Sequence, residues 1–183
     1  MQNLLERLQH DPDSVTIGVV GLGYVGLPLA VSLARTYQVI GYDRSMAKIK
    51  ALTQGEWLPE PLTQQEIRQL GTRLSLEWEA WKLKACDIII VAVPTDIDEH
   101  NVPNLEPLLR AGEMLNKTMP KDRPWGLCIE STVWPGCTEE VVIPLLSYHR
   151  DREGFFYGYS PERIVPGAPL GKHHGEGQGL HNT

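Results

Sequence analysis

Cysteine is scarce in this chain: 3 in 183 residues, at positions 86, 128 and 137. An odd count without metal-ligand spacing excludes a disulfide framework and a thiolate zinc site, and points to a reducing cytoplasm. Basic residues are also in deficit, 17 Lys and Arg against 23 Asp and Glu, for a net charge of −6. With no Lys/Arg run either, neither a nucleic-acid backbone nor an anionic membrane surface is an expected partner. Long apolar runs are missing too. The strongest, residues 88–93, falls far short of the roughly 20 residues that span a bilayer and reads as a buried strand. Residues 1–14 carry Glu6, Asp11 and Asp13 and lack an apolar core, so they read as an N-terminal extension rather than a signal peptide. What remains, 42% hydrophobic and 22% charged, is the composition of an ordinary globular domain with a sizeable core.

Strand and helix signals alternate along that core. Strands are expected at 15–20, 38–42, 73–77, 87–93, 125–130 and 155–159, and helices at 25–36, 45–54, 62–70, 104–117 and 138–148. Thr63, Asn104 and Thr138 are the expected helix-start residues, and Pro28 falls in a first helical turn, where a missing N–H costs little. The alternation predicts an α/β fold, a Rossmann-like doubly wound and mainly parallel sheet with helices on both faces, over residues 15–167.

The first predicted strand runs directly into Gly21-x-Gly23-x-x-Gly26 and then into a predicted helix. Gly21 permits the tight turn and Gly23 lacks the Cβ that would hold phosphates off the backbone. Gly26 allows close packing of helix on strand, and the helix N-terminus offers N–H groups and partial positive charge to a diphosphate. Asp43 ends the second predicted strand, at the distance of about 20 residues where an acid accepts hydrogen bonds from the adenosine ribose and disfavours a 2′-phosphate. NAD is thus the expected cofactor, with Arg44 beside Asp43 as the one feature that accommodates the phosphate of NADP.

Ligands of open α/β sheets bind outside the carboxyl ends of the strands. Three further clusters lie there: Pro94-Thr95-Asp96, Glu130-Ser131-Thr132 with Pro135-Gly136, and Ser160-Pro161-Glu162-Arg163-Ile164 with Pro166-Gly167. Thr95 is placed to meet the ribose or nicotinamide half of a cofactor, the hydroxyls and carboxylates to position a water or substrate hydroxyl, and Arg163 to contact an anion.

Together these motifs make residues 14–167 resemble the N-terminal NAD-binding domain of the UDP-glucose/GDP-mannose dehydrogenase family, most closely the branch that oxidises UDP-N-acetylhexosamines. The resemblance implies an NAD-dependent, four-electron oxidation of a sugar C6 alcohol to a carboxylate in polysaccharide precursor biosynthesis, with a nucleotide sugar as substrate partner. It implies that Gly21, Gly23, Tyr24, Val25 and Gly26 line the pyrophosphate, that Asp43 holds the adenosine ribose, and that Lys48 lies near the adenine end. It places Thr95 and Thr132 at the nicotinamide side. Thr132 and Glu162 become the catalytic pair that orients the hydrolytic water, and Glu162, Arg163 and Ile164 become substrate contacts. Full-length relatives are implied to be homo-oligomers joined through a long central helix downstream.

The family's catalytic cysteine, its supporting lysine and asparagine, and its sugar-nucleotide domain have no counterpart in this sequence. Cys86 and Cys128 read as small buried residues and Cys137 as a thiol near the cleft without an activating base. The expectation is therefore cofactor binding without sustained turnover. Two alternatives remain beside the dehydrogenase: an inactive NAD-binding module, and a 6-phosphogluconate or hydroxyacid-type dehydrogenase domain, against which Tyr24-Val25 and Ser160-Pro161-Glu162-Arg163 argue. A dinucleotide-sensing regulator would need a DNA-reading or heptad element, which the sequence does not show. Residues 168–183 form an irregular tail with four glycines and three histidines, and nothing in the spacing of His173, His174 and His181 points to a metal. One set of codons for residues 171–180, read in a shifted frame, gives an Ile-Thr-Val-Lys-Val-like stretch similar to the family's, so a truncated or frameshifted product is expected beyond Pro169.

Overall fold

The computed structural model describes residues 4–56, 58–59, 62–96 and 103–161. Six strands, β1 (Thr16–Val20), β2 (Gln38–Tyr42), β3 (Leu74–Glu77), β4 (Ile88–Val91), β5 (Gly126–Ile129) and β6 (Phe156–Tyr159), form one sheet in the order β3-β2-β1-β4-β5-β6. Every pairing is parallel: Val20 lies opposite Tyr42 and Val91, and Ile129 opposite Tyr159. Parallel strands covered on both faces need continuous apolar runs, which β1 and β4 supply in Val and Ile. All six expected strands are present, β2 with the expected bounds and the other five a residue or two shorter at one or both ends.

Helices α1 (Leu4–His10), α2 (Gly26–Leu33), α3 (Met46–Gln54), α4 (Gln64–Gln69), α5 (Glu106–Thr118) and α6 (Ile143–Leu145) complete the described elements, with short 3-10 turns at Pro12–Ser14, Gly71–Arg73 and Ala80–Ala85. The core has two halves. Val19, Leu22, Leu27, Val31, Val39, Ile49 and Leu52 pack one face around α2 and α3, while Ile89, Val91, Leu108, Leu115, Trp125, Leu127 and Ile129 pack the other around α5. On α5 the buried positions 108, 111, 112 and 115 are one stripe of a 3.6-residue period. Burying each large aliphatic side chain there contributes about 1.5–3 kcal/mol.

Two helix starts, at Thr63 and Asn104, match their expected residues, and Ser45 is a further cap. Thr63 forms a capping box with Glu66, and Asn104 Oδ1 accepts the Glu106 N–H at 3.0 Å. Ser45 caps α3 by accepting from the Lys48 N–H at 3.2 Å.

Two regions differ from expectation. The helix expected over 138–148 is a π-helical turn at Thr138–Val142 followed by the short α6. Pro144 has no N–H to bond four residues back, and the ladder shifts register there. The extension before residue 15, for which the sequence reading names no element, is structured. It carries α1, and Arg7 reaches Asp87 with two nitrogens at 3.1 and 3.0 Å. Asp87 further accepts from the Thr16 N–H at 3.0 Å and from Arg123 at 3.4 Å. This ion cluster sits at the start of β4, on the amino-end side of the sheet. At the lateral edge of the sheet beside β5, β6 has all four residues exposed, including Phe156, Tyr157 and Tyr159.

Candidate functional site at the carboxyl ends of the strands

The strand order reverses direction between β1 and β4, so the loops leaving these two strands turn away from each other and open a crevice. The turn after β1 occupies it. Gly21 has φ of 94°, a left-handed value, and a Cβ there would stand 2.7 Å from the Ala92 carbonyl oxygen. Gly26, at the start of α2, is buried so close beneath that a Cβ would run into the Gly21 carbonyl. Gly23 is the opposite case: nothing lies within 4 Å of where its Cβ would be. Bare backbone there faces open space at the start of α2, where the earliest N–H groups precede the helical ladder that opens with Leu27 donating to the Gly23 carbonyl at 3.1 Å. This is the cradle a diphosphate needs, and a side chain would fill it.

Two cavities flank the turn. The first, about 290 Å³, is walled by Val20, Gly21, Tyr42, Asp43, Arg44 and Lys48 on one side and by Val93, Pro94 and the α5 residues Pro107, Arg110, Ala111 and Met114 on the other. The second, about 410 Å³, is walled by Gly23, Tyr24, Val25, residues 92–96, Glu130, Ser131 and Thr132. Val93 and Pro94 line both. The glycine turn stands between them, so one elongated ligand can occupy both with its middle on the turn.

Asp43 organises the first cavity. One carboxylate oxygen accepts from the Leu22 N–H at 3.2 Å and from Lys48 Nζ at 2.8 Å, and the other accepts from the Ser45 N–H at 3.0 Å. A carboxylate offers about four acceptor positions, so capacity remains for a ligand hydroxyl. Lys48 is the partner that holds the acid in place, and Arg44 lines the same wall. Burial, with the Asp43 charge adding to it and Arg44 opposing, raises the hydroxyl pKa of neighbouring Tyr42. Pro107, Arg110 and Met114 were not foreseen as site residues. They sit on the outer side of an amphipathic helix, and only the tertiary fold turns that side toward Asp43.

In the second cavity, Thr95 and Thr132 are brought together: Thr95 Oγ1 donates to the Thr132 carbonyl at 2.7 Å. Ser131 is buried and its hydroxyl donates to the Val93 carbonyl at 2.7 Å. Tyr24 and Val25 form the wall nearest α2. Glu162, Arg163 and Ile164, and the tail 168–183, lie outside the described residues.

The cysteines are placed apart from this chemistry. Cys86 is fully buried, and burial pushes its thiol up to about 12, the Asp87 charge adding to it; burial likewise raises Cys128 to about 11. Cys137, expected near the cleft, lies buried in the core with Val142 and Leu146 and lines neither cavity; burial, then Glu140 and Glu139, raise its thiol pKa. Thiols so raised carry little thiolate at neutral pH and are weak nucleophiles. Among the described residues no group of three or more metal-ligating side chains occurs, and no helix is long and apolar enough to cross a membrane.

Comparison with known proteins agrees with this geometry. Residues 15–174 match the model of the UDP-glucose/GDP-mannose dehydrogenase family, NAD binding domain. The chain is 44% identical over 154 residues to the UDP-N-acetyl-D-glucosamine 6-dehydrogenase of Pseudomonas aeruginosa, covering 82% of this chain and 36% of that protein. It superposes on a UDP-D-ManNAc dehydrogenase from Pyrococcus horikoshii with a TM-score of 0.75 and 33% identity, covering 84% of this chain and 37% of the other. It superposes on a ternary complex of GDP-mannose dehydrogenase from Pseudomonas aeruginosa with a TM-score of 0.76 and 28% identity, covering 82% and 37%. The chain thus spans about a third of the length of the relatives it matches.

Proposed function

The chain belongs to the UDP-glucose/GDP-mannose dehydrogenase family as its NAD-binding domain, and on that premise we propose that it is the cofactor half of a nucleotide-sugar 6-dehydrogenase acting on a UDP-N-acetylhexosamine. The single observation that supports this most is the line formed by the acid-lined cavity, the bare Gly23 backbone and the hydroxyl-lined cavity. The relatives named as UDP-N-acetylhexosamine dehydrogenases favour that branch.

In this reading Gly21 and Gly23 clear the way for the diphosphate, and the N-terminus of α2 holds it with N–H groups and the helix dipole. Asp43, fixed by Lys48, the Leu22 N–H and the Ser45 N–H, accepts from a ribose hydroxyl with its remaining lone pair. Thr95 and Thr132 close the nicotinamide end and fix the ribose or carboxamide there. The nicotinamide ring, when bound, supplies the two-electron acceptor for oxidation of an alcohol carbon. Thr132, with Glu162 after β6, is the group proposed to orient water on the substrate side, and Arg163 and Ile164 are proposed as substrate contacts. Cys86 and Cys137 are buried and Cys128, read from the sequence as buried, is only partly so; burial raises all three thiols, and none is read as the nucleophile. The chain by itself is therefore read as binding NAD without completing the oxidation.

Titration calorimetry with NAD, followed by incubation with NAD and UDP-N-acetylglucosamine or UDP-N-acetylmannosamine under NADH absorbance, tests both parts. Binding without sustained NADH formation is expected. A folded sample with no heat of NAD association overturns the cofactor assignment, and steady turnover overturns the division of labour.

A further inference from the structure

Three successive residues of the loop that leaves β5 are each held by a hydroxyl from a different place. Ser131 donates its own hydroxyl to the Val93 carbonyl at 2.7 Å, binding the loop to the one that leaves β4. Thr132 has its carbonyl held by Thr95 Oγ1 at 2.7 Å, from that same neighbouring loop. Val133 is gripped from the other flank: the Tyr159 hydroxyl on β6 donates to its carbonyl at 3.0 Å and accepts from its N–H at 3.3 Å. Past Ile129 the strands diverge, and the Ser160 N–H bond to the Ile129 carbonyl at 3.0 Å is the last backbone bond recorded between β5 and the β6 segment. Beyond that point the Tyr159 hydroxyl takes over on the β6 flank, while on the β4 flank the Glu130 and Ser131 N–H groups still donate to the Val91 carbonyl at 2.9 and 3.2 Å.

Such spending of hydroxyls has a geometric result. Thr132 stands at the wall of the second cavity while its peptide group is fixed on both sides, by Thr95 directly and by Tyr159 through the next residue. Tyr159 lines neither of these two cavities, and its hydroxyl is engaged instead by the Val133 backbone. We propose that Tyr159, with Ser131 and Thr95, forms a three-point clamp that positions Thr132 at the nicotinamide end, which makes Tyr159 a positioning residue for the cofactor. The proposal rests on the cofactor reading above. It goes beyond that reading in giving a role to a tyrosine outside the cavity.

A test that separates positioning from general stability compares two ligands. ADP fills the adenosine cavity and the glycine turn, whereas NAD also enters the second cavity. Tyr159→Phe removes only the hydroxyl. One net hydrogen bond of about 0.5–1.5 kcal/mol corresponds to a loss of about twofold to tenfold. The expected result is that loss in NAD affinity with ADP affinity unchanged, both by calorimetry on the full chain. Ser131→Ala, which removes the hydroxyl that ties the loop to the Val93 carbonyl, should lower the same NAD-to-ADP ratio, and it keeps the test open if the tyrosine variant folds poorly. A Tyr159→Phe chain with an unchanged ratio, or one that loses NAD and ADP affinity equally, overturns the clamp. Wild-type chain that binds ADP but not NAD, read before any variant, instead overturns the cofactor reading beneath it.

Discussion

Gly23→Ala should separate binding from folding in this chain. The added methyl meets nothing within 4 Å, and the residue does not have the left-handed φ that makes Gly21 intolerant. Folding should therefore be unharmed. Stability should even rise by about 0.4–1 kcal/mol, because alanine reduces the freedom of the unfolded chain. Binding should suffer, since the methyl stands where the diphosphate must approach the backbone. Displacing the phosphate from one charge-assisted N–H bond costs about 1.5–3 kcal/mol. At about 1.4 kcal/mol per decade that is a tenfold to hundredfold loss of NAD affinity. Calorimetry with NAD beside a thermal melt reads both quantities on one sample. Wild-type NAD affinity in the folded variant refutes the placement of the diphosphate on this turn, and an unfolded variant refutes the claim that Gly23 faces open space.

Two further outcomes concern stability. His149 is buried, its Nδ1 accepting from the Trp125 indole at 3.3 Å and its Nε2 3.3 Å from the Asn116 carbonyl, and burial lowers its pKa from the ordinary 6.5. Between the lowered folded value and 6.5 the unfolded chain binds more protons, so this contribution is complete above pH 6.5 and declines as pH falls below it. Urea midpoints from pH 8 to pH 5 should fall along that branch, and His149→Gln should flatten it; an equal slope in the variant assigns the effect elsewhere. Asp87→Ala leaves Arg7, Arg123 and the Thr16 N–H without their shared acceptor. With these side chains partly open to solvent, the loss should be about 2 kcal/mol in denaturant unfolding, while NAD affinity should stay unchanged.

The six strands and the glycine turn are legible in the sequence because each is a local signal: an apolar run of strand length, or a glycine where the backbone demands one. Asp43, Thr95 and Thr132 are legible as positions for the same reason, since a parallel sheet carries every strand end to one rim. Arg110 and Met114 are not, because their approach to Asp43 depends on how α5 crosses the sheet. Nor is α1, held by a contact between Arg7 and Asp87, 80 residues apart. The interruption near Pro144 is legible in hindsight, as a proline inside a predicted helix is a local reason for one. Cys137 shows the limit of linear reasoning: a residue beside a strand-end loop in sequence lies beneath it in space, its thiol turned into the core.

A parallel sheet has two unlike ends, and this one divides its duties between them. Asp87 with its two arginines fastens the foot of β4, whereas Ala92 and Thr95 stand at its head. At about 3.3 Å per residue the two ends are roughly 16 Å apart, farther than the 7–10 Å or so over which substitutions usually influence one another. Reinforcement at the foot and redesign at the head should therefore be separable exercises, each free to proceed without undoing the other.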